Sequence, residues 1–552
     1  MKHDQAEAEL KTYSQFACVG AGISGIALGA TLKRWYGITD VRFFERHSDF
    51  GGTWLANKYP GKNSQSIGYV REMSPTKGAL TIVQQTGCAC DVPSLLYSFS
   101  FAPNPKWTKA LPSHDELWAY LKHVANEYDL ETKTTFQATV ELCEWVEAAQ
   151  RWRVHARDAA GRHIIHESQF LFTGTGHLVK PRVPDFPGLE TFKGPVLLPC
   201  KWPADANLQN KRVIVVGNGC TASQIVPAIS HETKHVTQIV RSKHWIVPPV
   251  HVPNDAVFRF LLVWVPGFLK LVRLAAFLIA ENHMRGFYMT KAGARYRKHI
   301  QTRAEAYIRK TAPAKYHSLL IPDFEIGCKR RVFDSGYLKS LHAENVTLTD
   351  DPIVKITPDG LETKKGSIRA DVLIMATGYD TNTFMSGINI IGREGKTVSQ
   401  HWESLGGPGA YNSVSMSGFP NFFMLLGTWF GHYRYGTEED ADVSSLTGPN
   451  TATGHTSTIL AIENAVNYAL RIIKPALDGE CQAVDVDCMA ERKHVQQIQE
   501  DLKHTVWSSG CNAWYTRDDK SSSPRNAMTY PYSQPYFWYK CLFPTYSDWN
   551  YS

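Results

Sequence analysis

Two stretches of the chain repeat the same order of hydrophobic and polar positions. In the first, an apolar run at residues 16–19 enters a glycine-rich turn and then a helical pattern over 26–35. In the second, an apolar run at 212–216 enters a similar turn and a helical pattern over 223–229. Short apolar runs that end at glycine turns before helices are typical of buried parallel strands. The pattern predicts an α/β fold with two Rossmann-like dinucleotide-binding domains and a helical insertion in the second.

The first turn has the glycine spacing of a nucleotide site. Gly20 permits a tight turn, Gly22 lets the backbone approach a pyrophosphate, and Gly25 lets the helix pack on the strand. The next predicted strand, 41–44, ends in Glu45, at the distance where an acid holds ribose hydroxyls. The alternative is a glycine turn that binds nothing. The spacing favours a dinucleotide whose phosphates sit at the helix N-terminus.

The second turn carries the same spacing with a different strand end. Gly217, Gly219 and Ala222 form a GxGxxA turn, and the following strand at 236–240 delivers Arg241 and Ser242 instead of an acid. A carboxylate there would repel a 2′-phosphate, whereas a guanidinium can bind it through two hydrogen bonds. The sequence therefore predicts NADPH over NADH at this site. The alternative is that Arg241 and the nearby Lys243 form an ordinary solvated strand end.

Two further apolar runs suggest the domain boundaries. Residues 170–172 precede the sequence TGTG at 173–176, and residues 371–375 precede ATG at 376–378. We expect a discontinuous first domain around an inserted second one. The predicted limits are 1–195 and 370–552 for the FAD-binding parts, 196–369 for the NADPH-binding domain, and about 254–322 for its helical insertion.

The most apolar stretch of the chain, 257–280, lies in this insertion. It carries Arg259, Lys270 and Arg273 and is interrupted by Pro266 and Gly267. Charges and a break of this kind argue against a helix that spans a bilayer. We expect a pair of amphipathic helices that covers the active site. Contact with a membrane surface is the alternative.

Composition excludes several classes of protein. The formal net charge is +7 over 552 residues, with no basic block, so no nucleic-acid partner is expected. The N-terminus lacks an apolar signal core. The eleven cysteines include only one close pair, Cys88 and Cys90, and that spacing is too tight for an ordinary zinc site. We expect reduced thiols, no metal and a cytoplasmic location.

The motifs near the first turn resemble a known family. GxGxxG, the acid, GGTW at 51–54 and YPG at 59–61 follow one another as in the flavin monooxygenases, and the last two resemble the Baeyer–Villiger branch. The resemblance implies FAD at the first site, with Gly52, Thr53 and Trp54 against the flavin. It also assigns Thr377 and Gly378 to the motif where the chain returns to the FAD domain.

The resemblance extends to catalysis. The segment CDVPS at 90–94 and the segment GCKR at 327–330 match positions where the family places a catalytic Asp and Arg. By that resemblance Arg330 stabilises the negative charge of the oxygenated flavin, Asp91 positions Arg330, and Lys329 helps to hold NADPH. A fixed cation keeps such an oxygen deprotonated. The alternative for Asp91 and Arg330 is a structural salt bridge.

One family position differs. The fingerprint FxGxxxHxxxW begins here at Phe192, but Leu198 occupies the place of the His. Leucine can keep the packing but neither the hydrogen bonds nor the proton. This substitution bears on oxygenation more than on flavin binding.

Two segments, 62–87 and 428–448, interrupt family motifs. Removing them restores YPGCACDVPS and FPNFFMLLGPNTATGH. One hypothesis is that both are translated introns, and the other is that both are surface loops, which tolerate insertions. Sequencing of the transcript distinguishes the two, because reads that include both segments contradict the intron hypothesis.

The expected function is that of an FAD-dependent monooxygenase that uses NADPH and O₂ to convert a ketone to an ester or lactone in secondary metabolism. Trp264, Phe268, Leu271, Phe277 and C-terminal aromatic residues such as Trp507 suggest a bulky apolar substrate, although such aromatics are more often core. The alternatives are N- or S-oxygenation and a flavoprotein that only oxidises NADPH or binds a ligand.

Overall fold

A computed structural model describes residues 10–60, 87–176, 181–250, 252–253, 255–379, 388–425, 449–452, 454–511 and 525–552. Both segments considered as introns or loops lie outside these residues, apart from residue 87. So do Trp514 and Tyr515 of the C-terminal aromatic group. The described chain forms two main sheets covered by helices, as the α/β prediction requires.

The first main sheet contains the strand that precedes the first glycine turn. Numbered along the chain, its strands are β1 (Leu10–Val19), β2 (Val41–Glu45), β3 (Thr134–Phe136), β4 (Thr139–Val146), β5 (Arg151–Arg157), β6 (His163–Thr173), β17 (Asn389–Ile391) and β18 (Phe422–Met424). Their order in the sheet is β17-β4-β5-β6-β1-β2-β3, with β18 pairing β6. β1 pairs in parallel with β2 and β6, while β5 is antiparallel to both of its neighbours.

The second main sheet is entirely parallel and has the order β12-β9-β8-β16-β7. Its strands are β7 (Val196–Leu197), β8 (Arg212–Val216), β9 (His235–Ile239), β12 (Val346–Thr349) and β16 (Val372–Met375). The sequence boundary at 369/370 is wrong by one strand, because β16 pairs with β7 and β8. The remaining domain limits stay predictions.

Three small sheets complete the strands. One pairs β10 (Ile246–Val247) with β11 (Val332–Phe333), and another pairs β19 (Val484–Val486) with β20 (Trp549–Tyr551). The third is an antiparallel meander of β13 (Ile353–Thr357), β14 (Gly360–Thr363) and β15 (Gly366–Arg369).

The helices cover both main sheets or belong to the insertion. They are α1 (Ile23–Thr31), α2 (Thr53–Ala56), α3 (His114–Glu127), α4 (Cys220–Ile229), α5 (Ala256–Trp264), α6 (Phe268–Glu281), α7 (Lys291–Thr311), α8 (His317–Leu320), α9 (Tyr337–Ser340), α10 (Val398–Ser404), α11 (Thr458–Ile472), α12 (Lys474–Leu477), α13 (Cys488–Leu502) and α14 (Gln534–Leu542). In the first main sheet, Phe16 and Phe172 pack with α1 and α11 on one face, and Ala17 and Leu171 pack on the other.

Helices α5 to α8 occupy the predicted insertion. Among the described residues, no single helix has the length and apolar character needed to cross a bilayer. Helix α5 and residues Phe268–Gly286 meet that criterion only as a pair, bent by 110°.

The C-terminal region contributes to the core and to a disulfide. In the described part of the tail, Phe537 and Trp549 are buried in the core. The expectation of reduced thiols fails at one pair, because Cys328 and Cys511 form a disulfide. This bond connects residues far apart in the chain, and no sequence spacing indicates it. Trp507 is also a core residue, stacked on Phe287 with ring centroids 4.7 Å apart.

Candidate active site

A cavity of about 370 Å³ lies between the first glycine turn and the N-terminus of α4. Eight of the predicted site residues line it: Gly20, Gly22, Glu45, Gly52, Thr53, Trp54, Asp91 and Arg330. Cys220, Thr221 and Gln224 of α4 complete one wall. The cavity therefore joins the two predicted nucleotide sites.

The first turn has the geometry that a dinucleotide needs. Glu45 is buried at the end of β2, and its carboxylate accepts the backbone N–H groups of Ala21 at 2.8 Å and His47 at 2.9 Å. This anchoring fixes the acid beside the turn and leaves acceptor capacity for ribose hydroxyls. A Cβ added at Gly22 would lie 3.5 Å from the Cα of Gly52. The two backbones form a narrow cradle with no side chain in it, which fits FAD.

Asp91 and Arg330 meet across the cavity. Arg330 Nε lies 2.6 Å from Asp91 Oδ2, and an Arg330 terminal nitrogen donates to Oδ1 at 2.9 Å. This two-bond geometry fixes the plane of the guanidinium. Both side chains remain about one third exposed, at 34% and 28%. The cation is therefore held in place and still faces the space that a cofactor would fill.

Cys220 contributes a third group to this pair. Its thiol donates to Asp91 Oδ2 over 3.8 Å. Burial raises the pKa of Cys220 to about 12, and the charge of Asp91 adds to the rise. The thiol stays protonated and supports the carboxylate. It is a positioning contact that the motifs did not indicate.

Gln224 of α4 connects the two halves of the site. It accepts the hydroxyl of Tyr59 at 2.7 Å and donates to the carbonyl of Ala89 at 3.1 Å. Burial raises the pKa of Tyr59 well above its ordinary value, with a smaller contribution from Cys88, to which Tyr59 is also hydrogen-bonded. Tyr59 and Ala89, which flank the segment 62–87 in the sequence, are therefore held by the same side chain within the site.

Two cationic side chains, Lys329 and Arg241, lie near the second turn. Lys329 is buried, with its ammonium 4.7 Å from the ring of Phe324. Burial lowers the pKa of Lys329, and the nearby charge of Arg241 lowers it further. Ser242 is held through its carbonyl, which accepts from the side chain of Asn218 at 3.2 Å. An anion bound between Lys329 and Arg241 would reduce the repulsion between these two cations. The pair therefore fits a nucleotide phosphate.

Comparison with known proteins agrees with this geometry. The profile of the family described as flavin-binding monooxygenase-like matches residues 13–262. A Baeyer–Villiger monooxygenase of Streptomyces coelicolor is 30% identical over 534 residues, which cover 96% of this chain and 90% of that protein. The FAD-binding monooxygenase tazF of Aspergillus terreus is 29% identical, covering 94% and 86%.

The chain belongs to the Baeyer–Villiger monooxygenase family. Solved structures agree on the fold. A closed cyclohexanone monooxygenase matches with a TM-score of 0.77 at 21% identity, covering 98% of this chain and 99% of that one. A steroid monooxygenase bound to NADP matches with a TM-score of 0.75 at 23% identity, covering 98% and 99%.

Several residues predicted from Baeyer–Villiger motifs lie outside the cavity lining. Gly25 supports the first turn, because a Cβ there would lie 2.3 Å from the carbonyl oxygen of Gly20. Thr377 donates to the carbonyl of Arg182, and the carbonyl of Gly378 accepts from the N–H of Arg182 at 2.9 Å. These two residues secure a crossover between segments. A direct contact with the cofactor stays a prediction for them.

The position of the missing fingerprint His borders an apolar cluster. Leu198 is partly buried and packs against the cluster that contains Ile214, Val216 and Met375 of the second main sheet. A leucine suits this contact, which involves apolar side chains. The family motif identified the position, and only the packing shows that leucine suits it.

The structure corrects the expectation that helices α5 and α6 cover the active site. Trp264 and Leu271 were expected to line the substrate pocket, but they are 71% and 62% exposed. Within the described residues, the main cavity has no lining from α5 or α6. Arg259 and Leu262 instead line a small cavity of about 30 Å³ beside Ser94. The prediction that these helices are amphipathic was right, but the prediction that their apolar side faces the active site was wrong.

Proposed function

We propose that this protein uses NADPH and O₂ to oxidise a small apolar ketone to an ester or lactone. The observation that carries the proposal is the ion pair of Asp91 and Arg330 at the cavity, which is formed by two hydrogen bonds. Membership of the Baeyer–Villiger monooxygenase family supports it. Bound FAD would accept a hydride from NADPH and supply the activated oxygen.

The first site would bind FAD through three features of the chain. The N-terminus of α1 offers backbone N–H groups to the pyrophosphate. Glu45 accepts ribose hydroxyls, and the facing glycines Gly22 and Gly52 leave room for the flat part of the cofactor. Trp54 is fixed by its indole N–H, which donates to the hydroxyl of Tyr97 at 3.2 Å.

Arg330 would provide the electrostatic part of the reaction. A guanidinium keeps its proton at every physiological pH, so its charge does not depend on the state of its neighbours. Asp91 holds this cation in one orientation. A preorganised cation favours the anionic form of an oxygen that must attack a carbonyl. No side-chain nucleophile is required from the protein.

The second site would select NADPH by charge. Arg241 and Lys329 together can bind the 2′-phosphate, and Ser242 is joined to the turn by the bond from Asn218 to its carbonyl. A cytoplasmic location and a place in secondary metabolism belong to the same proposal.

The decisive experiment separates oxygen insertion from NADPH consumption. Arg330→Ala is expected to lower ester or lactone formation by about 100-fold or more while NADPH still reduces the flavin without air. Asp91→Asn keeps the shape but frees the guanidinium, so its effect should be intermediate. Arg157→Ala, which removes an exposed Arg–Glu pair elsewhere, is the matched control. Wild-type product formation in Arg330→Ala would reject the proposal.

One specific observation favours a second candidate function. Leu198 removes the proton and hydrogen bonds of the family His, so the protein could oxidise NADPH and release hydrogen peroxide without inserting oxygen. The test supplies the wild-type protein with ketones, amines and sulfides in turn. Oxygenated products and hydrogen peroxide are measured in parallel. Peroxide alone supports an oxidase, and amine or sulfide products alone support N- or S-oxygenation.

A further inference from the structure

The bent pair of helices α5 and α6 presents its apolar face to solvent. In α5, Val257, Phe260 and Trp264 recur one helical turn apart and are 68%, 58% and 71% exposed. A helix in a globular protein normally turns such a stripe toward the core. The outward direction of this stripe calls for something outside the chain to cover it.

Helix α6 repeats the arrangement over a greater length. Leu271, Leu274 and Leu278 form a stripe along one side of the helix, joined by Ile279, and none of the helix residues is buried. Along their lengths the two helices together expose seven large aliphatic and aromatic side chains: Val257, Phe260, Trp264, Leu271, Leu274, Leu278 and Ile279. Exposed apolar side chains are ordinary when scattered, but these follow helical spacing in two consecutive elements.

Polar contacts hold the pair in this orientation. Arg273, on the inner side of α6, donates to the carbonyls of Leu95 at 2.8 Å and Ser98 at 3.0 Å. At the end of α6, Glu281 accepts from His455 at 3.0 Å and from the backbone of Gln534 at 3.1 Å. Rolling the apolar stripe inward would break these bonds, so the outward face is the stable one.

The charge on the two helices is mainly positive. Residues 256–280 contain no Asp or Glu, and Arg259 and Lys270 are exposed, while Asp255 and Glu281 stand at the two ends of the pair. The next helix along the chain, α7, carries seven Lys or Arg and one Glu, with Arg295 and Lys298 exposed. A second copy of the chain packed on the apolar face would bring Arg259 and Lys270 against the same cations. Anionic lipid headgroups complement both the apolar stripe and these cations.

Exposed aromatic residues also occur in α14, whose first residue contacts the end of α6. The backbone of Gln534 donates to Glu281, and Trp538, Tyr539 and Phe543 of this helix and its C-cap are 50%, 53% and 59% exposed. Tryptophan and tyrosine are the side chains enriched where protein meets the headgroup region of a bilayer. Their presence is in keeping with a lipid surface as the occupant.

Neither helix alone is long enough to cross a bilayer. Helices of 9 and 14 residues are about 14 and 21 Å long, shorter than the hydrocarbon thickness of about 30 Å, and the bend of 110° between them suits a pair that lies along the surface. We propose that the outward faces of α5 and α6 attach this protein to the surface of a membrane that carries anionic lipid. This attachment is independent of the reaction catalysed.

Sedimentation with vesicles tests the attachment. The full chain loaded with FAD is mixed with vesicles of phosphatidylcholine, with and without about 30% phosphatidylglycerol. We expect it to pellet with the anionic vesicles and to be released in part by salt. Absence of pelleting with the anionic vesicles would overturn the proposal.

Substitutions locate the binding face. Leu271→Glu and Leu278→Glu are each expected to weaken vesicle binding by about tenfold or more, since a leucine that would enter the lipid is replaced by a charge. Lys270→Ala should weaken it by about fivefold, on anionic vesicles only. Met489→Glu is the control, because Met489 is 69% exposed on α13. FAD content and NADPH oxidation report whether each variant is folded.

Two results would assign the face differently. If Leu271→Glu binds vesicles as tightly as the wild type, the face is not the attachment site. If the wild type forms a dimer that Leu271→Glu dissolves, and no vesicle binding occurs, the occupant is a second copy of the chain. Either result contradicts the lipid surface.

Discussion

The two glycine turns have a similar backbone geometry, but the strands beside them end in different residues. Gly20 and Gly217 both have positive φ, at +104° and +131°, and a Cβ at either would lie within 2.6 Å of a carbonyl oxygen of the neighbouring crossover. Each donates its N–H to the last residues of the adjacent strand, at 2.8 Å and 3.0 Å. The strand ends differ, with a buried Glu45 at one and an exposed Arg241 at the other.

This comparison separates two tasks of a nucleotide site. The turn itself makes room for a pyrophosphate and is nearly indifferent to which nucleotide carries it. The residue that follows the next strand chooses between a free ribose hydroxyl and a phosphate, because a carboxylate accepts hydroxyls and repels anions. One fold element is thus used twice in the same chain for two cofactors.

The largest difference between the turns is expected at their third position. Gly25→Ala places a Cβ 2.3 Å from the Gly20 carbonyl oxygen and should destabilise the fold by about 3 kcal/mol. The second turn already has an alanine there, so Ala222→Gly should cost only about 1 kcal/mol. Thermal unfolding followed by circular dichroism, together with FAD content, measures both. Equal small effects would show that the two turns are packed alike.

The strand ends should differ in cofactor selectivity. Arg241→Ala removes charge-assisted hydrogen bonds and should raise the KM for NADPH by about 10- to 100-fold, with little effect on NADH. Steady-state kinetics with each nucleotide gives the ratio. Lys211→Ala, which removes an exposed cation before β8, serves as a control. Equal losses for both nucleotides would contradict a phosphate contact.

A pH effect should appear only at the second site. The lowered pKa of Lys329 means that its ammonium loses the proton earlier than an ordinary lysine as pH rises, so affinity for NADP⁺ should fall on the alkaline side. Arg241→Ala removes part of the repulsion, raises that pKa and moves the fall to higher pH. Titrations of NADP⁺ binding between about pH 7 and pH 10 detect the shift. Lys329→Gln should abolish the dependence on pH, and an unchanged profile in that variant would exclude Lys329.

The smallest expected difference concerns the disulfide next to Lys329. The Cys328–Cys511 bond joins the segment that carries Lys329 and Arg330 to the C-terminal part of the chain, and the first turn has no such connection among the described residues. Thiol titration of the unfolded chain should give nine thiols before reduction and eleven after it. Reduction should weaken NADPH binding by a few-fold and leave FAD binding unchanged. Eleven thiols before reduction would disprove the bond. Cys481→Ser, which removes one unpaired cysteine, is the control for the thiol count.

Local pattern predicted the parts of the site that lie within one strand–turn–helix unit. Gly20, Gly22 and Glu45 were identified because the contacts among them span fewer than thirty residues. The pattern did not identify Gln224, whose partners Tyr59 and Ala89 are 165 and 135 residues away. The exposed direction of α6 was missed for the same reason. An amphipathic sequence states that one face is apolar but not which surface that face meets.

By itself, the sequence determined that two glycine turns end two buried strands, that one precedes an acid and the other a cation, and that the motifs are those of a Baeyer–Villiger enzyme. Tertiary structure alone decided that Asp91 and Arg330, 239 residues apart, share two bonds, and that Leu198 packs against an apolar cluster. Turn geometry follows from the steric limits of neighbouring residues. Pairs separated by hundreds of residues meet only when the packing of whole sheets brings them together.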